Sequence, residues 1–94
     1  MKIPKKIKGF GYTYPVIQVK NLRDREGCWQ GLINHKKGFI KLEKNAHHGR
    51  KESNLIHEIT HFVLRECDIN MKEEYVDRVA SGLYQVLKDS DLLK

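Results

Sequence analysis

The sequence has little of what marks disulfide-rich or metal-thiolate proteins. It contains two cysteines, two prolines and one tryptophan in 94 residues. Cys28 and Cys67 lie far apart and share no CxxC spacing, which argues against a disulfide scaffold. We therefore expect both cysteines to be free thiols in the core of a protein from a reducing compartment.

Long hydrophobic runs are also missing. The longest apolar stretches span only a few residues, whereas a transmembrane helix needs roughly 20. The N-terminal segment lacks the apolar centre of a signal peptide. We expect a cytoplasmic protein without a membrane partner.

Positive charge exceeds negative charge, with 18 lysines and arginines against 12 aspartates and glutamates, a net charge of +6. Part of this charge lies at Lys2, Lys5, Lys6 and Lys8. No RNP, zinc-finger or glycine-rich phosphate motif accompanies it, so we do not expect nucleic acid as a partner. A metal-free basic adaptor for nucleic acid is the hypothesis that the charge alone leaves open.

The first half of the chain predicts strands. Residues 10–20 are rich in β-favouring side chains, and Pro15 suggests an edge strand because it cannot donate to a neighbour. Residues 28–33 and 39–42 form two further apolar runs, separated by a polar loop ending at Gly38 that is typical of a hairpin. We expect a small antiparallel sheet.

The second half predicts two helices. From about residue 50 to 67, apolar residues that include Leu55, Ile59 and Val63 recur on one helical face. A second helix should begin after Asn70, a plausible N-cap, and end near Lys88. Its apolar stripe consists of Val76, Val79, Ala80, Leu83 and Leu87. A length of 94 residues bounds the chain to one domain, and strands followed by two helices indicate an α+β fold.

The first predicted helix carries a metal-binding pattern. His57 and His61 are four residues apart, so their imidazoles project from the same face and can grip one ion. Glu58 lies beside His57 on an adjoining side, where it is a candidate general base. Zinc suits this chemistry because it lowers the pKa of water to about 7 and polarises a peptide carbonyl.

A third ligand must come from outside this helix, and Glu73 and Glu74 are the best donors. Relative to a stripe centred on Val76, Glu73 lies about 60° away and Glu74 about 160° away, so we favour Glu73. The competing interpretation is a capping box, in which Glu73 bonds back to the backbone of Asn70.

Other polar residues have weaker roles in this hypothesis. Asp77 lies one turn after Glu73 and can accept a hydrogen bond from a ligand histidine. His47 and His48 are the alternative ligands if Glu73 fails. His35 has no partner in sequence, and we expect it to be exposed in the hairpin loop. Tyr75 and Tyr84 are possible oxyanion stabilisers by residue type, but ordinary helix-surface tyrosines by position.

Residues 55–62, followed by Glu73, Val76, Asp77 and Ala80, resemble the small zincin-like metallopeptidases of phages and mobile elements, close to the ImmA/IrrE group. The pattern is also similar to that of gluzincins. There HExxH supplies two ligands, a glutamate on a following helix supplies the third, and an aspartate four residues later supports it. The resemblance covers roughly residues 50–90. Residues 76–82 depart from the Ala-Asn-x-Phe-Ala-type stretch usual in ImmA/IrrE proteins.

The resemblance implies a minimal zincin-like domain over residues 1–94 that hydrolyses peptide bonds with Zn²⁺, His57, His61 and Glu73 as ligands and Glu58 as general base. The implied partner is a protein or peptide substrate, and some relatives cut repressor proteins. The alternative is a catalytically weak, zinc-stabilised protein-binding module in phage or mobile-element regulation.

Overall fold

The computed structural model describes residues 2–24, 27–28 and 31–93, with the backbone alone at 23–24 and 27–28. It confirms the α+β class, with a sheet followed by two helices. Within these residues, no helix is both long and apolar enough to cross a membrane. The elements are β1 (Lys6–Gly9), β2 (Tyr12–Val19), β3 (Arg23–Asp24), β4 (Gly27–Cys28), β5 (Gly31–Asn34), β6 (Phe39–Glu43), α1 (His48–Glu66) and α2 (Glu73–Asp89).

The main sheet has the strand order β1-β2-β6-β5, and β3 pairs with β4 in a separate ribbon. β1 with β2 and β5 with β6 are antiparallel, but β2 and β6 run parallel, with Val16 opposite Ile40. The expectation of a purely antiparallel sheet was therefore wrong. A parallel pair needs a long crossover, and the chain between residues 19 and 39 supplies it. The predicted strand at 28–33 falls on the end of β4 and on most of β5, and residues 29–30 lie outside the described part.

β2 is an interior strand, so Pro15 does not mark a sheet edge as predicted. Pro15 lies opposite Lys6 of β1, while the pairing of β2 with β6 begins only at Val16. The missing N–H of proline therefore removes no bond from the β2–β6 ladder. A proline one residue before a ladder begins is compatible with a central strand.

The predicted hairpin between β5 and β6 is confirmed. Asn34 closes its turn, because its backbone oxygen accepts from Gly38 N at 2.8 Å and its side chain accepts from Lys37 N at 2.9 Å. Gly38 has φ +76°, a left-handed conformation that favours glycine. This turn fixes the position of His35, which follows β5 directly.

α1 packs across β5 and β6 and provides one wall of the core. Its Phe62 ring contacts Tyr14 at a centroid distance of 4.8 Å and Phe10 at 5.8 Å. Val63, predicted to face the core, is 41% exposed, since the core in this part of α1 is filled by the Phe62 ring. Cys67 is also exposed rather than buried. The buried cluster consists of Tyr14, Val16, Ile40, Leu42, Leu55 and Phe62.

α2 lies against α1 with a different face from the one predicted. Val76 and Ala80 are buried, but Val79 and Leu83 are 49% and 42% exposed. The buried face centres on Ala80 rather than Val76, a rotation of about 40°. The rotation turns Glu73 toward α1 and leaves part of the expected apolar stripe in solvent.

The two helices are antiparallel, and a buried carboxylate joins their distal ends. Glu52 of α1 is 1% exposed and accepts hydrogen bonds from Tyr84 and Lys88 of α2, each at 3.1 Å. Burial opposes ionisation, but hydrogen bonds that include these two outweigh it and lower the pKa of Glu52 to about 2. Glu52 therefore holds the helix pair together as a charged group.

This linkage predicts a pH-dependent stability. The folded-state pKa of about 2 lies below the usual 4.5, so Glu52 stabilises the fold above pH 4.5 and loses this effect as the pH falls toward 2. Glu52→Gln should lower the free energy of unfolding at neutral pH by about 1–3 kcal/mol and weaken its acid dependence. Urea unfolding at several pH values measures both effects. The exposed Glu74→Gln is the control, and an equal acid dependence in Glu52→Gln and wild type would contradict the prediction.

Candidate metal centre

Two histidines of α1 face each other one helical turn apart. The His57 and His61 rings are 4.8 Å apart between centroids, and their Nε2 atoms are 3.2 Å apart. Both rings are partly buried. The HExxH spacing thus brings two potential ligand nitrogens to a single point, as the sequence predicted.

Glu73, the first residue of α2, completes a triangle with these nitrogens. Its Oε1 lies 3.0 Å from His57 Nε2, and its Oε2 lies 3.1 Å from His61 Nε2. The N-cap of α2 is Lys72, without a side-chain cap hydrogen bond, so the predicted cap at Asn70 and the capping-box interpretation of Glu73 are wrong. Glu73 faces the histidines instead.

The edges of this triangle match a tetrahedral ion. Zinc binds nitrogen and carboxylate oxygen at about 2.0–2.2 Å, and tetrahedral angles then place neighbouring ligand atoms about 3.3 Å apart. The observed separations are 3.2 Å between the two nitrogens, and 3.0 and 3.1 Å from each nitrogen to a different oxygen of Glu73. Three protein ligands with a remaining open position are the arrangement of a catalytic zinc site. The residues present therefore fit the metal that the sequence suggested.

Asp77 supports one of the histidines from the opposite side. Its Oδ1 lies 3.1 Å from His57 Nδ1, one turn of α2 after Glu73. A carboxylate at this nitrogen holds the proton on Nδ1 and directs the lone pair of Nε2 toward the triangle. Asp77 thus occupies the supporting position proposed for it.

The His57 tautomer that Asp77 favours leaves one contact of the cluster without a hydrogen-bond donor. When Nδ1 of His57 donates to Asp77, the neutral ring presents only a lone pair at Nε2, which faces a Glu73 oxygen at 3.0 Å. Two acceptors at this distance repel each other. A proton or a metal cation between them turns the repulsion into attraction.

Glu58 lies beside the triangle but is buried. It is 6% exposed, and its Oε2 has no hydrogen-bond partner among the described residues. A ligand atom of Glu58 lies within 4.8 Å of those of His57 and His61. Burial raises the pKa of Glu58 to about 7, with His57 lowering it and the charges of Glu73 and Asp77 adding to the rise. A buried carboxylate without a partner beside a cation site is a candidate proton acceptor.

The alternative ligands are not brought to the cluster. Glu74 is exposed on α2. The His47 ring caps α1 by accepting from Gly49 N at 3.2 Å, and His48 is an exposed residue at the start of α1. Of the tyrosines considered as oxyanion stabilisers, Tyr84 bonds to Glu52 and Tyr75 is 47% exposed on α2.

A cavity of about 610 Å³ opens over the cluster. The cluster residues and Asn54 form its helical side, and β5 forms the other side with Gly31, Leu32 and Ile33. Gly31 lies close to α1, since a Cβ there would meet Leu42 Cδ2 at 3.2 Å and Asn54 Cβ at 3.4 Å. The cavity is therefore a cleft between β5 and α1.

His35 also lines this cavity, contrary to the expectation that it is exposed and apart from the site. Its ring is half-buried, and burial, followed by the charges of Arg65 and His61, lowers its pKa, with Glu66 opposing. Sequence reasoning missed His35 because no local spacing relates it to α1. Only the pairing of β5 with β6 and the packing of α1 on the sheet bring it to the site.

Comparisons with known proteins add no assignment: no family model matches the chain, and no similar curated protein or solved structure was found.

The choice between the two glutamates can be tested directly. Glu73→Ala removes one of the three proposed ligands and should reduce bound zinc from stoichiometric to a small fraction. The neighbouring Glu74→Ala should keep full zinc occupancy. Metal analysis of the purified, zinc-loaded variants by mass spectrometry gives the measurement. Full zinc content in Glu73→Ala would remove Glu73 from the ligand set.

Asp77→Asn tests the supporting role. The variant keeps the size of the side chain but loses the charge that orients His57, so zinc affinity should fall about 10- to 100-fold. Competition with a chromophoric chelator measures this affinity. Asp89→Asn, at the far end of the same helix, provides the control, and equal affinities in the two variants would contradict the role of Asp77.

Proposed function

We propose that this protein is a zinc-dependent metallopeptidase, with His57, His61 and Glu73 as ligands and Glu58 as general base. The observation that carries the proposal is the triangle of ligand atoms with edges of 3.0 to 3.2 Å beside a buried glutamate. Structural zinc sites are closed by four protein ligands, whereas a three-ligand site is open to substrate.

The residues divide the chemistry of peptide hydrolysis between them. Zinc held by this set would lower the pKa of water and polarise the peptide carbonyl. Glu58 accepts the proton from the attacking water and delivers it to the amine that leaves. Its Oε2, without a hydrogen-bond partner among the described residues, is available for this proton. Asp77 keeps the His57 ring oriented throughout.

The strand side of the cleft suits an extended peptide. β5 forms one wall of the cavity, and within the described residues it pairs with a single neighbour, β6. A strand with a free edge offers backbone N–H and C=O groups that an extended peptide can pair with. The substrate class in this proposal is therefore a protein segment or peptide bound in extended form along β5.

The biological setting belongs to the same proposal. The spacing of His57, Glu58, His61, Glu73 and Asp77 is that of the gluzincin pattern, which supports a relation to the small zincin-like peptidases of phages and mobile elements. A repressor is one candidate substrate in that setting. Cys67 is a free, exposed thiol, which agrees with a reducing, cytoplasmic environment.

Glu58→Gln separates catalysis from metal binding. Because the amide cannot accept the proton, cleavage of a fluorescently labelled, unfolded casein should fall by at least about 100-fold. Zinc content should not change, because Glu58 is not one of the three proposed ligands. Glu74→Gln is the matched control and should cleave like wild type.

Two outcomes would contradict the proposed peptidase activity. Equal cleavage by Glu58→Gln and wild type would remove Glu58 as the base and indicate a contaminating protease. Stoichiometric zinc in a wild-type protein that cleaves no tested protein or peptide would favour the alternative, a zinc-stabilised binding module.

A further inference from the structure

The turn that carries His35 is held firmly against the sheet. The Tyr14 hydroxyl donates to the backbone oxygen of His35 at 3.3 Å, and Tyr14 is itself 5% exposed within the core. Bonds from Gly38 N and Lys37 N to Asn34 close the turn on the other side. These contacts hold the backbone of the turn, and none of them involves the imidazole of His35.

Two cavities meet at the His35 ring. The larger is the cleft over the metal cluster, and a second of about 270 Å³ lies beyond it, between the end of α1 and the segment before α2. His35 and His61 line both of them. His35 therefore lies in the wall of the cleft that β5 and the cluster share.

The surroundings of the ring determine which nitrogen can donate. Nδ1 of His35 is buried and has no hydrogen-bond partner among the described residues. The other nitrogen, Nε2, is not among the buried side-chain atoms without a partner in the described residues. A neutral imidazole carries its proton where a partner can accept it, and a charged one carries protons on both nitrogens. The Nε2–H tautomer of the neutral ring and the charged ring both offer a donor at Nε2.

We propose that His35, through Nε2–H, donates a hydrogen bond to the carbonyl oxygen of the peptide bond that is cleaved, and is thus a second catalytic residue of the site. The inference rests on the proposed peptidase function. His35 would thus stabilise the developing negative charge from a position outside α1 and α2.

The step balances with the groups already described. As the water oxygen bonds to the carbonyl carbon, the π electron pair moves onto the carbonyl oxygen, where the His35 hydrogen bond shortens and strengthens. The water proton passes to Glu58, and Glu58 returns it to the nitrogen as the C–N bond breaks. His35 donates a hydrogen bond in this step and transfers no proton.

The test uses His35→Phe, which fills the space without a donor, and His35→Gln, which restores an N–H. Lys36→Ala, in the same turn and exposed, is the matched control. With zinc-loaded proteins and labelled casein, His35→Phe should lose about 100-fold in kcat with little change in KM. His35→Gln should recover part of the loss, and Lys36→Ala should behave like wild type.

A second measurement does not depend on turnover. Calorimetry gives the affinity of each zinc-loaded protein for a phosphonamidate dipeptide, whose tetrahedral P–O⁻ group imitates the charged oxygen of the reaction. His35→Phe should bind this compound about 10- to 100-fold more weakly than wild type. Zinc content and thermal midpoint should match those of Lys36→Ala, because the Tyr14 bond goes to the backbone.

The outcomes separate this inference from the proposed function. Wild-type cleavage together with unchanged kcat and phosphonamidate affinity in His35→Phe overturns the role of His35 alone. Loss of zinc from His35→Phe overturns it as well, since His35 would then act on the metal. A zinc-loaded wild type that neither cleaves casein nor binds the phosphonamidate overturns both proposals.

Discussion

Two imidazole nitrogens and one carboxylate meet at one point on this molecule, and their close approach is the constraint around which the site is organised. The Nε2 atoms of His57 and His61 and the carboxylate of Glu73 lie 3.0 to 3.2 Å from one another. Contacts of this length between such groups need a shared proton or a bound cation. The same cluster joins α1 to α2, so the charge that satisfies it also contributes to the packing of the helices.

The helix pair is held at both ends by charged groups. Near the start of α1, Glu52 accepts from Tyr84 and Lys88, and farther along, His57 meets Asp77 and Glu73. Beside these contacts, Val76 and Ala80 supply the buried apolar residues of α2. The sheet contributes on the other side of α1, where β5 faces the same cleft. The candidate metal ligands therefore lie on α1 and α2 and face the cleft whose other side is β5.

The sequence predicted best what depends on local spacing. The four-residue separation of His57 and His61 and the phase of Glu73 relative to Glu74 are properties of a regular helix, and the structure places these residues as expected. What failed depends on tertiary packing. The rotation of α2 by about 40° depends on its packing against α1. The parallel pairing of β2 with β6 and the position of His35 depend on contacts between segments that are distant in the chain. No local pattern encodes these contacts.

The candidate metal ligands span a short part of the chain. Two consecutive helices carry all four residues, His57, His61, Glu73 and Asp77. The parallel strands β2 and β6 instead pair residues that are farther apart in the chain, such as Val16 and Ile40. The entropy of closing a loop rises with its length, so the helical hairpin assembles its donor atoms at a lower conformational cost than the sheet. An insertion between β2 and β5 would therefore lengthen only the crossover between the parallel strands, and would leave the spacing of His57, His61, Glu73 and Asp77 unchanged.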